Sequence, residues 1–558
     1  MDNLVASKRE ATSLHTPADE VAATLMTGDT SLARLTVVAA VPVIAAAWAL
    51  LSPDRLLSRE MSWDLLFNLS GAWHLHYGHV AHVDFHDPVG ELNFVLTALG
   101  FSIVGPTPHA FLVGVAIITS FLFITAVIVA WRRLPLLPAV IFVVFVCLLA
   151  LRPANVGDLP TAYSFAMSYN RYGWGAIAIL SLLLFVPPRI GRRGDWIEAV
   201  AGGLLLVTMY YLKVTYFAVG LGAVGVALLV SPHIRDRWWI WLAVGGAAAL
   251  NAVAPYNHAY LADVLGAVQA GGVRDSLDNH LMNFFAYGDS YAPYVVALVI
   301  AAWMWWNGRA PLRLPLATAF LLAAGAFLLT QNAQPHGMPL AVVIAFLFVH
   351  QLRQQRTTPL LLAALLAFPL LSMGSSALSL AGYHLKTDCE QCLSVVDSTN
   401  LRGFAVPAER EGLLAAFAKG EAKAPLLNRA RAIHPRYELS QYEYVETIME
   451  AAALLAGPRY RPGGVVVLDQ VNPLPFMLGW PPPKGETLWS GAGMPMQPAK
   501  ALFADVDHVL IPKFSSYSPG TAAARARYGA YLADYFPVRN ETQSWTVVSR
   551  RGAIIPSP

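Results

Sequence analysis

Long apolar runs without charge recur along this chain from Leu35 to about Ser376, and they narrow the folds open to it more than any other feature. A helix needs about 17 to 25 apolar residues to cross roughly 30 Å of hydrocarbon, where the backbone finds no water to bond. Runs at 35–52, 109–131, 134–151, 174–188, 196–212, 214–230, 238–255, 292–306, 315–330, 338–352 and 359–376 predict about eleven spans. Only 13% of the 558 residues are charged, about half the share in soluble domains, so a soluble globular protein is excluded. The run Leu92–Val104 is too short to cross and predicts a segment lying on or dipping into the interface.

Charge then orients the chain. With eleven spans and the amino terminus inside, the inner segments hold 14 of the 20 Lys and Arg residues before position 377. The outer loops hold six, against eleven acids, which is the asymmetry of the positive-inside rule. Residues 1–32 read as a cytoplasmic leader before an uncleaved anchor, 33–376 as the membrane domain with its first outer loop at 53–108, and 377–558 as a soluble domain outside. The net charge of +3 carries no nucleic-acid signature, since topology accounts for the arginines.

The tail changes composition after Ser376. Gly463–Asp469 (GGVVVLD), His508–Pro512 (HVLIP) and Ser544–Arg551 (SWTVVSRR) read as strands, and Arg525–Phe536 reads as a helix, giving an α/β or α+β unit. Cys389 and Cys392 form CEQC on the oxidising side and predict a local disulfide. A lone CxxC lacks the four ligands of a zinc site, and Cys147 reads as a packing residue. No Walker loop or GxGxxG follows a strand, so a nucleotide-driven machine has no support. A donor used outside the cytoplasm must then arrive already activated, in the membrane.

Chemistry concentrates in the outer loops. The segment Met61–Glu91 carries Asp64, Asp84, Asp87 and Glu91 with five histidines. The next long loop carries Arg152, Asp158, Tyr169, Asn170 and Arg171, Lys213 sits in a tight turn between apolar runs, and Gln331–Gly337 (QNAQPHG) begins another turn with His336. Transfer from a lipid phosphate to a hydroxyl needs a carboxylate to take the proton and cations to receive the departing phosphate. Asp64, Asp84 and Asp87 are candidates for the first role; Arg171, Lys213 and Arg152 for the second. Glu91, Asp158, Tyr169, Asn170, Gln331 and His336 are candidates for holding substrate. The plainer alternatives are a turn for Asp84 and Asp87 ahead of Pro88 and Gly90, a headgroup anchor for Arg171, and snorkelling for Lys213. Histidines 74, 76, 79, 82 and 86 invite a metal, but no helical or strand spacing puts all five on one face.

Many spans, a long acidic first outer loop and a carboxyl-terminal outer domain together resemble the GT-C superfamily of integral-membrane glycosyltransferases. The resemblance implies a mainly α fold, a polytopic transmembrane helical domain with an extracytoplasmic α/β or α+β domain behind it. It also implies transfer of a sugar from a polyprenyl-phosphate donor to a glycan, lipid or protein acceptor at the outer face of the cytoplasmic membrane, with inversion. By position, Asp64 and the Asp84/Asp87 pair match the family's first-loop acid. Many members carry adjacent acids there, whereas here Asp64 stands alone and the pair is three apart, so the base stays open among the three. A divalent cation, Mg or Mn, is used by some members and not by others. The rival readings are a lipid or solute transporter, which would carry polar groups at mid-membrane or inverted repeats, and a non-catalytic cell-envelope assembly protein.

Overall fold

The computed structural model describes residues 31–189, 195–254, 257–271, 277–286, 288–331, 334, 337–352, 358–387, 392–394, 399–407, 441–489, 495–513 and 518–555. Helix α1 (Leu32–Leu51) starts where the Ser31 hydroxyl accepts the Arg34 N–H at 3.1 Å. The first long loop follows as β1 (Leu56–Leu57), α2 (Ser62–His76), β2 (Phe85–His86) and α3 (Leu92–Val104). Helices α4 (His109–Arg133) and α5 (Leu136–Leu151) form a hairpin broken at Leu134–Pro135, where proline bars the preceding residue from helix. Next come α6 (Ser168–Phe185), α7 (Asp195–Leu212) and α8 (Val214–Val230), the last two separated by Lys213 alone. The membrane part continues as α9 (Pro232–Arg235), α10 (Trp238–Ala252), α11 (His258–Gly271), α12 (Leu277–Ala286), α13 (Gly288–Trp306), α14 (Arg313–Gln331), α15 (Ala341–Leu352) and α16 (Thr358–Lys386).

Every apolar run read from the sequence lies largely within one of these helices. Among the described residues α1, α4 and α14 are long and apolar enough to cross a membrane, and six further apolar helices are shorter. Every residue of α6 except Tyr169 is buried, so α6 is the central helix of the bundle. It packs against α4, α5, α7, α8 and α15. The run Leu92–Val104 does not stand apart: α3 packs against α2 and α4. At the opposite end of the bundle from α2, Glu198 of α7 receives Arg132 Nε at 2.9 Å and Arg133 Nη2 at 3.0 Å, a buried ion cluster. Burial is tolerable there because both arginines share one carboxylate and Arg133 also donates to the Leu183 carbonyl.

The tail runs β3 (Cys392–Ser394), β4 (Phe404–Pro407), α17 (Gln441–Leu455), β5 (Gly464–Val467), α18 (Leu474–Leu478), β6 (Glu486–Thr487), α19 (Ala499–Leu502), β7 (Val506–Pro512), α20 (Ser518–Tyr535), β8 (Val538–Glu541) and β9 (Trp545–Ser549). Its main sheet has the order β5-β7-β9-β8, parallel only between β5 and β7. The alternation of a strand divides its side chains. Val466, Val509 and Val548 join Tyr528, Leu532 and Phe536 in a small core under α20, while Val465, Leu510 and Val547 face the main core. Two further pairings bind tail to first loop, β1 with β4 and β2 with β6, both parallel. The thiol pairing expected of Cys389 and Cys392 lies outside the described residues.

Candidate functional site

The amino-terminal end of α6 is where the unusual backbone and the unusual side chains meet. Met61, Tyr163, Phe165 and Met167 hold left-handed backbone, with φ of 50°, 40°, 50° and 47°. Each such residue costs about 1–2 kcal/mol, and surroundings that hold it there are a mark of functional segments. Met61 leads into α2, whose first turn carries Asp64, and Met167 leads into α6. The Met167 N–H donates to Asp64 Oδ2 at 3.1 Å, and the Arg59 N–H donates to the Tyr163 carbonyl at 3.1 Å. The two strained corners are thus tied directly to each other.

Arg171 lies one turn into α6, fully buried, with Nη1 donating to the Ala166 carbonyl at 2.9 Å. The side chains that act on it electrostatically are Tyr172 first, then Arg152, Asp158 and Asp64. Arg152 closes α5, and its Nη2 donates to the Asp158 carbonyl at 2.5 Å. Burial pushes the Asp158 carboxyl up, against the pull of Arg152 and Arg171. Glu60, four residues before Asp64, is pushed up to about 6 by burial and then by Asp158, with Arg59 opposing. Asn170 is completely buried, and neither end of its amide has a hydrogen-bond partner among the described residues; the same holds for Nε of Arg171 and Arg152. Buried polar atoms left in this state cost about 1–3 kcal/mol each, and they call for a partner that binds.

Lys213 joins the same corner from the other side. Its extended backbone interrupts α7 and α8, and its Nζ lies 5.7 Å from the centre of the Tyr169 ring. The adjacent Ser168 hydroxyl donates to Asn93 Oδ1 at 3.2 Å. Below it, Trp174 Nε1 donates to Gln334 Oε1 at 3.0 Å, and Gln334 Nε2 donates to Asn155 Oδ1 at 2.7 Å. Asp64, Arg152, Asp158, Tyr169, Asn170, Arg171 and Lys213 are therefore gathered around one helix end. Gln334, from the QNAQPHG turn singled out for its amides, belongs there too; Glu60 and Asn155 also do, and no sequence pattern pointed to them.

The remaining candidates sit elsewhere. Asp84 accepts the Val80 N–H at 2.9 Å and pairs with Lys484 of the tail at 3.0 Å; that N–H foremost, with Lys484, holds its carboxyl below the usual range. It neighbours His74 and His79, at the far end of α2, about 15 Å along that helix from Asp64. Asp87 is buried, its Oδ1 accepting the Val89 N–H at 2.7 Å, and burial together with Asp263 raises its carboxyl well above the usual range. Asp263 of α11 is held by His82 Nδ1 at 2.9 Å and His86 Nδ1 at 3.0 Å. Glu91 precedes α3 next to Gly90, whose N–H donates to the Leu212 carbonyl at 3.0 Å. Gln331 ends α14 half-buried, and His336 lies outside the described residues.

Among the described residues no group of three or more His, Cys, Asp or Glu side chains is arranged to hold a metal ion. At the α6 end the guanidinium groups turn onto main-chain carbonyls, Arg171 onto that of Ala166 and Arg152 onto that of Asp158, while Asp64 accepts the Met167 N–H.

No family model matches this chain, and no curated protein matches it. Among solved structures it is similar to the single-particle cryo-EM structure of arabinofuranosyltransferase AftD from mycobacteria, at 13% identity and a TM-score of 0.40. That match covers 88% of this chain and 36% of the other, so the chain spans little more than a third of that protein's length. A TM-score of 0.40 falls short of a common fold, and the site's own geometry carries the functional reading.

Proposed function

We propose that this chain is a membrane glycosyltransferase of GT-C type, moving a sugar from a polyprenyl-phosphate donor to an acceptor hydroxyl at the outer face of the cytoplasmic membrane, with inversion. The observation that carries the reading is the single corner holding the Asp64 carboxylate, the guanidinium groups of Arg171 and Arg152 and the Lys213 ammonium. A carboxylate beside buried cations is what direct displacement at an anomeric carbon needs.

In this reading Asp64 accepts the acceptor's proton while the acceptor oxygen forms its bond to the anomeric carbon. The bond from that carbon to the phosphate oxygen breaks, and the polyprenyl phosphate leaves with the electron pair. Arg171 and Arg152 receive its growing charge through N–H groups that otherwise lack partners, and Lys213 adds a mobile point charge. Asn170 and Gln334 orient the sugar. Asp84 and Asp87 serve the architecture of the first loop, the one tied to Lys484 and the other buried against Asp263.

Transfer of radiolabelled sugar from a panel of polyprenyl-phosphate sugars by the purified chain in lipid tests this. Asp64→Asn should lower turnover about 10²–10⁴-fold with donor binding retained, as loss of a general base does. Asp84→Asn and Asp87→Asn should lose activity only in step with lost thermal stability. Donor binding without turnover, unchanged in all three variants, would instead mark a transporter.

A further inference from the structure

Lys213 enters the site at the break between α7 and α8, where the backbone hydrogen bonds can be followed one by one. The Lys213 N–H still reaches the Met209 carbonyl at 2.9 Å, as in a helix, but Lys213 itself is extended, with φ of −168° and ψ of 123°. In an unbroken helix the next N–H, that of Val214, would bond the Tyr210 carbonyl four residues back. Instead the Val214 N–H donates to the Tyr260 hydroxyl at 3.1 Å, and that hydroxyl donates to the Tyr210 carbonyl at 3.3 Å. A side chain of α11 therefore stands in the gap of the helical ladder, satisfying one group at the end of α7 and one at the start of α8. The Leu212 carbonyl accepts the Gly90 N–H at 3.0 Å, so the turn also leans on the first loop.

Tyr260 is itself held in place. It is buried, with its ring centre 4.6 Å from that of His82. Asp263 follows it by three residues, on the same face of α11. The Asp263 carboxylate collects His82 Nδ1, His86 Nδ1 and, at 3.3 Å, the Asp87 N–H. Three groups of the first loop fasten α11, and α11 in turn holds the turn that carries Lys213. Neither Tyr260 nor Asp263 has a part in the chemistry proposed above.

We propose that Tyr260 and Asp263 are positioning residues: Asp263 latches α11 onto the first loop, and the Tyr260 hydroxyl then holds the Lys213 turn so that the ammonium meets the donor phosphate. The proposal rests on the reading of Lys213 as a phosphate contact. Without the hydroxyl, two backbone groups at the turn lose their partner, and the turn relaxes to satisfy them elsewhere. That movement carries Lys213 away from the Tyr169 ring, over which its Nζ now lies at 5.7 Å. Through this one helix, donor binding depends on a properly docked first loop.

The test uses the full chain in detergent micelles. In protein whose lysines carry isotope-labelled methyl groups, the Lys213 resonance is the one missing from Lys213→Arg, and the Tyr169 ring should displace it from the other lysines. Tyr260→Phe, which keeps the ring against His82 and removes only the hydroxyl, should return that resonance to the position of solvent-exposed lysines. In unlabelled protein the same variant should lower kcat/KM for a polyprenyl-phosphate donor about tenfold, the worth of one hydrogen bond, and should cause no further loss in a Lys213→Met background. Asp263→Asn should give the same pattern, and it decides the matter should Tyr260→Phe fail to fold. An equal loss in the wild-type and Lys213→Met backgrounds would overturn the proposal, since Tyr260 would then act on stability rather than through Lys213. A Lys213 resonance unmoved by both variants would overturn it whether or not the chain turns over donor. A displaced resonance with unchanged turnover would also overturn it, leaving the transferase reading intact. A displaced resonance in a chain that turns over no donor would uphold the latch and sink the transferase reading.

Discussion

Asn170 separates a binding residue from a packing residue more cleanly than any other side chain at the site. Its amide is fully buried and unpartnered among the described residues, so Asn170→Leu should leave stability unchanged or raise it by about 1–3 kcal/mol. If the amide holds the sugar, the same variant should raise donor KM more than tenfold; thermal melts and steady-state kinetics read the two effects apart. Glu60 gives a second expectation. Its carboxyl sits at about 6, so ionisation adds negative charge four residues from Asp64 as pH rises through that value. Log kcat/KM should climb to a plateau above pH 6, and Glu60→Gln should remove that inflection. Asp64, Arg152 and Arg171 were legible in the sequence because ionisable residues beside long apolar runs are costly and need a reason. Glu60 was not, for its burial depends on the loop at 152–167 folding back against Arg59, a contact that no local pattern records.

At the scale of elements, the join between first loop and tail has a built-in pH window. His74 Nε2 lies 3.2 Å from Glu486 Oε2, and burial drives the histidine down to about 3 and the glutamate up to about 8. The pair is therefore neutral when docked. Stability from Glu486 is complete below its ordinary 4.5 and is lost as pH rises to about 8; stability from His74 is complete above its ordinary 6.5 and is lost as pH falls to about 3. The two slopes cancel between 4.5 and 6.5, so docking should be flat there and weaken by about 2 kcal/mol on each side. Hydrogen exchange at residues 485–488 across pH measures this, and Glu486→Gln should flatten the alkaline limb. Gly90 makes the other joint, because any Cβ there would overlap the Tyr211 carbonyl. Gly90→Ala should cost about 1–3 kcal/mol in a thermal melt by lifting the first loop off the α7–α8 turn. The length of the apolar runs foretold the long membrane-part helices, and short apolar segments foretold β5, β7 and β9, whereas α2, α11, α12 and α17, more polar and mixed, were not read. The two-residue strands β1 and β2 were invisible, being too short to show alternation and defined only by partners in the tail.

The whole molecule is closed by contacts between its beginning and its end. Leu56 pairs with Phe404 and Phe85 with Glu486, while Trp73 Nε1 donates to the Trp480 carbonyl at 2.8 Å. The first loop, which carries Asp64, is thus braced by the tail rather than by the membrane helices alone. A chain stopped after Lys386 should keep its helices by circular dichroism yet melt at lower temperature and lose transfer; full activity in that truncation would show the brace to be dispensable. The same arrangement bears on biosynthesis. The partners of β2 are translated about 400 residues after it, so a nascent chain threading into the bilayer passes most of its synthesis with the first loop unsealed. On the glycosyltransferase reading, transfer activity arrives only once the segment carrying Glu486 has left the ribosome, and shorter products stay chemically silent until they are extended or destroyed.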